Sequence, residues 1–208
     1  MQISAEIRWF WGDSDPTPAS LEAWFLESGV HGCQSELGIK RRGNKRGVEV
    51  KGLITNSLSH LTDAPFNGPI ELWTKWTSEP LSELLNSAEA LLLLTKKQRW
   101  LRKFDTAGED PLEIPLDDEE QPRPDHEGKR VELPLLGCNV ELTRISVPSG
   151  DVWWTFGFES FGTLETVERS LRAAVHALAS RQPPWPSGGL LAGYPEWILV
   201  ADRGNTNR

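Results

Sequence analysis

Acidic and basic side chains recur at short, regular spacings in this chain, and the spacing suggests polyanion handling. The densest stretch runs from Gly38 to Lys51, with Lys40, Arg41, Arg42, Lys45, Arg46, Glu49 and Lys51 around Gly43-Asn44. Gly and Asn tolerate positive φ, so this reads as two short strands joined by a tight turn. Alternation along a strand puts Lys40 with Arg42 on one face, and Glu49 with Lys51 on one face. Such a surface is either the solvated side of an ordinary hairpin or a basic, partly acidic wall that holds a polyanion. A second basic run, Lys96 to Lys103, alternates as a strand, with Lys97, Arg99 and Lys103 on one face and Arg102 on the other. Cations that share a strand face repel unless carboxylates or an anion balance them; the plainer reading is a basic edge strand that resists pairing with other sheets. Glu159 follows Trp154, Phe156 and Phe158, and a carboxylate buried there needs a cation or a metal nearby.

These side chains need a sheet to position them. Residues 2–11 alternate, with Ile3, Ala5, Ile7, Trp9 and Trp11 on one face and Glu6, Arg8 and Phe10 on the other, which predicts a strand. Thr17-Pro18 opens a short helix containing Leu21, Trp24 and Phe25. The strand that begins in the basic hairpin is expected to end near Ile54, with a loop over 55–69. Residues 70–76 alternate again, with Glu71, Trp73 and Lys75 on one face. Leucines at helical spacing predict a helix over 80–91. The segment 106–130 contains Asp117-Asp118-Glu119-Glu120 among prolines and reads as a mobile acidic loop. A metal-binding role for the acidic run is the sharper alternative, but nothing in the sequence holds those carboxylates in place. Residues 139–147, with Arg144, and 152–161 form a hairpin. A helix capped by Thr163 and striped by Leu164, Val167, Leu171, Ala174, Val175 and Leu178 follows. Trp197 to Val200 reads as a last strand, and 202–208 as a frayed tail.

Composition excludes several classes. The 208 residues suit a single domain spanning 1–208, with 38% hydrophobic and 25% charged residues. A net charge of −8 argues against nucleic acid as the main partner. Cys33 and Cys138 lie in no CxxC or Cys/His cluster, which argues against structural zinc. No apolar run is long enough to span a bilayer and no secretory leader is visible, so no membrane partner and a cytoplasmic location are expected. Oligomeric state is not legible. Ten tryptophans fit either a core or an interaction module, because tryptophan is enriched at interface hot spots.

The order of strands and the placement of Glu6 and Arg8, the Gly38–Lys51 stretch, the run at 97–103 and Glu159 before a helix resemble the CYTH family, the triphosphate tunnel metalloenzymes. The resemblance covers most of the chain through short, degenerate motifs. It implies an α+β fold: an antiparallel, tunnel-like β-barrel with flanking helices, whose charged interior binds a triphosphate or polyphosphate. It assigns substrate binding to Arg8, Lys40, Arg42, Lys51, Lys75, Arg99, Arg102 and Arg144, and Mg2+ or Mn2+ binding to Glu6, Glu49 and Glu159. Where the family's first strand reads Glu-x-Glu-x-Lys, this chain has Glu6, Arg8 and Phe10. The late Glu-x-Glu is reduced to Glu159 with Gly157 or Phe161. The partner implied is a small phosphorylated ligand, and the activity is either metal-dependent hydrolysis or binding without turnover. A protein-interaction module remains the alternative from a different class. No residue is assigned a catalytic role.

Overall fold

The computed structural model describes residues 2–12, 18–27, 31–37, 48–78, 95–147, 150–185, 188–194 and 196–197. Lys40, Arg42, the Gly43-Asn44 turn, the helix expected over 80–91 and the tail 202–208 lie outside these residues. In chain order the elements are β1 (Gln2–Gly12), α1 (Pro18–Glu27), β2 (His31–Leu37), β3 (Val48–Asp63), β4 (Phe66–Ser78), β5 (Thr95–Asp105), β6 (Leu112–Ile114), β7 (Gly137–Ser146), β8 (Val152–Phe161), α2 (Val167–Ala179) and β9 (Leu190–Leu191). The strands form one antiparallel sheet in the order β2-β5-β7-β8-β1-β4-β3, with β6 on β5 and β9 on β1. The helices and antiparallel sheet fit the expected α+β class. The described pairings leave β2 and β3 as the two ends of the sheet and do not close it into a barrel.

Alternation sorts the side chains into two faces. One face is apolar: Ala5, Ile7, Trp9 and Trp11 of β1 join Leu72, Trp100, Leu142, Trp154, Phe156 and Phe158 in the main core. α2 covers it with Val167, Leu171, Ala174, Val175 and Leu178, and α1 adds Leu21 and Phe25. Aromatic rings fill the centre. Phe66 stacks on Phe156 at 5.5 Å between centroids, and Trp185 meets Trp9, Phe66 and Phe156 edge-on. Of the ten tryptophans only Trp76 is exposed, and the other nine are buried or partly buried.

Several expectations are corrected. Residues 55–63 are not a loop. They continue β3 through irregularities at Leu53/Thr55 and Thr55/Ser59, because Leu61 and then Phe66 anchor the pair β3–β4 in the core. α2 begins one turn later than expected, at Val167 with Thr166 at its N-cap, and Leu164 is exposed rather than part of the stripe. Trp197, expected to open a last strand, lies in a helical turn, its N–H donating to the Gly193 carbonyl at 3.0 Å, while residues 198–200 lie outside the described residues. Within the acidic segment 106–130 a short strand forms, β6 pairing with β5, and Leu116 bridges to Pro122. Among the described residues no helix is long and apolar enough to cross a membrane.

Candidate anion-binding face

The other face of the sheet carries the charge. Register sets its layout. Glu6 on β1 lies opposite Glu159 on β8 and Glu71 on β4, and Asn139 on β7 lies opposite Glu159. One step along, Arg8 lies opposite Gly157, and Gly157 opposite Glu141. Lys51 on β3 lies opposite Lys75 on β4. The strands therefore bring Glu6, Arg8, Lys51, Lys75, Arg99, Glu141 and Glu159 to one surface, where acids and bases interleave.

Glu6 is the hub. Its carboxylate accepts from Lys51 and, at 2.8 Å, from the Ser4 hydroxyl; Lys75 lies 3.8 Å away and also pairs with Glu159. Burial works to raise the Glu6 carboxyl, but Lys51, Lys75 and then Arg8 outweigh it and hold it at about 2. Lys51 also rests 4.6 Å over the Trp73 ring, whose Nε1 donates to Glu71 at 2.9 Å. Burial pushes the Glu71 carboxyl up; the neighbouring charges of Glu6 and Glu196 add to this.

Arg8 is buried, with Nη2 donating to Glu141 at 3.0 Å, while Nε and Nη1 are covered and have no hydrogen-bond partner among the described residues. It lies across Gly157: a Cβ there would sit 2.7 Å from the Arg8 Cζ. Burial works to lower its pKa, but Tyr194, Glu141 and Glu6 together raise it, so the guanidinium stays charged. Arg99 donates from Nη1 to the other Glu141 oxygen at 3.0 Å and from Nε to Glu120 at 3.0 Å. Lys103 donates to Asn139 at 2.6 Å. Tyr194 spans the face, with Arg8 4.8 Å and Lys97 3.5 Å from its ring centre. Phe10, Ile145, Val147, Ala192 and Trp197 form a second apolar cluster beyond it.

Two expected binding residues fall elsewhere. Arg102 is on the apolar face, donating to Glu113 at 2.8 Å and lying 4.4 Å over Trp24. Arg144 lies opposite Trp154 on that same side. Both point away from Glu6 because their parity along β5 and β7 is opposite to that of Arg99 and Glu141. Glu49 shares the parity of Lys51 on β3. Sequence reasoning gave no role to Tyr194, named Gly157 only where the family carries a second carboxylate, and named Glu120 only within the acidic run weighed for metal. The one tyrosine of the chain, in Gly193-Tyr194-Pro195, was the available signal for the first.

A cavity of about 150 Å³ adjoins β1 on its β4 side, lined by Ile7, Arg8, Asn56, Pro69, Glu71, Leu191, Ala192 and Glu196. Two carboxylates in its wall disfavour an anion there. The cations Lys75, Arg8 and Arg99, running from β4 to β5, are the better location. Among the described residues no group of three or more His, Cys, Asp or Glu is placed to hold a metal ion. No family model, no curated protein and no solved structure matches the chain.

Proposed function

We propose that the charged face binds a small polyanion of the triphosphate or polyphosphate class. The observation that carries this is Arg8: a buried guanidinium, fixed by Glu141 at one nitrogen, with two further nitrogens lacking an acceptor among the described residues. Leaving such donors unmet is costly, and phosphate oxygens are suited to meet them. Lys75, Lys51 and Arg99 surround it with charge that carboxylates now balance, so an entering anion exchanges one set of oxygens for another. The sequence resemblance to the triphosphate tunnel family points to the same ligand class.

Binding without a resident metal fits the donor set better than hydrolysis. A divalent cation needs Glu6 and Glu159 oxygens, which accept from Lys51 and Lys75; the ammoniums stand where its charge would be. Titration calorimetry with tripolyphosphate tests the proposal, with phosphate release measured in Mg2+ and in Mn2+ beside it. Saturable binding that weakens as salt rises is expected. Absence of heat and of any melting shift with tripolyphosphate overturns it, and steady phosphate release overturns the preference for binding alone.

A further inference from the structure

The acidic segment does more than connect β5 to β7. Its middle lies over the charged face, where Leu116 packs with Leu101 of β5 and Ile114 of β6. From that anchor it makes a tight turn. The Asp117 carboxylate accepts from the Glu119 N–H at 3.0 Å and the Gln121 N–H at 2.8 Å, and the Glu120 N–H donates to the Asp117 carbonyl at 3.0 Å. Glu120 sits at φ 60°, in the left-handed region that a residue with a side chain adopts only when its surroundings impose it. The result is that Glu120, unlike the exposed Glu119, turns inward and receives both Nε and Nη2 of Arg99. This two-pronged grip is the one an arginine offers to a phosphate. The Glu120 charge also acts on Lys103, opposing the burial that lowers the pKa of that ammonium.

We propose that Glu120 is a built-in competitor for the anion site: it occupies the Arg99 fork when no ligand is bound and is displaced when a polyphosphate binds. This rests on the charged face being an anion site, and adds a regulatory contact to it. Once the Arg99 grip is lost nothing holds Glu120 in its left-handed conformation, so the turn closed by Asp117 loosens while Leu116 stays anchored.

The test uses the full chain at fixed ionic strength, with tripolyphosphate as the probe. Calorimetry is run on the parent protein, on Glu120→Gln, and on Glu119→Gln, which removes the same charge one residue away. Glu120→Gln is expected to bind about fivefold more tightly, the size set by a partly buried ion pair, and Glu119→Gln to match the parent. Hydrogen exchange supplies a second readout: saturating tripolyphosphate should speed exchange at the Glu120 and Gln121 amides in the parent protein. If Glu120→Gln does not fold, Glu120→Asn replaces it, since asparagine accepts left-handed backbone. Equal affinity in parent and variant, or a turn that stays protected at saturation, overturns the competitor role alone. Absence of binding by every form overturns the anion site and the competitor with it. Binding by Glu120→Gln but not by the parent supports both.

Discussion

Replacing Glu6 by glutamine removes the charge at the hub of the face while keeping its shape. The consequence for stability follows from the carboxyl's titration. In the folded chain it titrates at about 2 against an ordinary value of 4.5. A difference of about 2.5 units at 1.36 kcal/mol each is worth about 3 kcal/mol. Glu6 is almost fully buried, so solvent screening reduces this little, and it agrees with the roughly 3–5 kcal/mol lost when one partner of a buried pair is removed. The sign is that of a depressed carboxyl. The stabilisation is complete above pH 4.5 and is lost as pH falls toward 2, because protonating Glu6 in the folded state breaks its contacts with Lys51 and Lys75. Urea denaturation of the parent and Glu6→Gln should therefore show a gap of about 3 kcal/mol at pH 7, with over half of it gone by pH 3. A gap that stays constant from pH 7 to pH 3 refutes the claim that paired lysines hold this carboxylate ionised.

Gly157→Ala tests the floor beneath Arg8. The new methyl would meet the guanidinium at 2.7 Å, so the Arg8 side chain must shift and its hold on Glu141 is weakened; a loss of about 1–2 kcal/mol by urea denaturation is expected, together with weaker tripolyphosphate binding. Unchanged binding would remove Arg8 from the site. Phe66→Ala tests the aromatic centre, where Phe66 is fully buried against Phe156, Phe158, Trp9 and Trp185. A loss of about 3–5 kcal/mol is expected, and a loss under about 1 kcal/mol would mean that this cluster is not a packed core.

The parts legible in the sequence were those with a local period. Strand β1 and the 152–161 strand show alternation over nine or ten residues, and the faces assigned to Glu6, Arg8, Trp9 and Trp154 follow from it. The same alternation separates Arg99 from Arg102, although the family resemblance assigns both to ligand binding. Polar residues hid the second half of β3: Thr55, Asn56, Ser57 and Ser59 look like a loop, and Leu61 and Phe66 hold them in the sheet. Trp197 belongs to a helical turn because Gly193 accepts its N–H, a contact with no local pattern to announce it. The meeting of Glu6 with Lys51, Lys75 and Glu159 depends on registers among four strands far apart in the chain. Which acid of Asp117-Asp118-Glu119-Glu120 turns inward is decided by turn geometry, which four adjacent carboxylates do not reveal.

The first strand has neighbours on both flanks, and every one of them is made later in the chain. Its start lies against residues 71–75, its whole second half against 153–159, and Trp9 and Phe10 also against 190–191. The Ala5 N–H donates to a serine hydroxyl 155 residues downstream. During vectorial synthesis this segment emerges before every strand it pairs with and is seated among the last, since each of its seams waits on polypeptide not yet made. Until then Ile7, Trp9 and Trp11 are bare in the nascent chain, a greasy stretch that a holdase chaperone would need to shield.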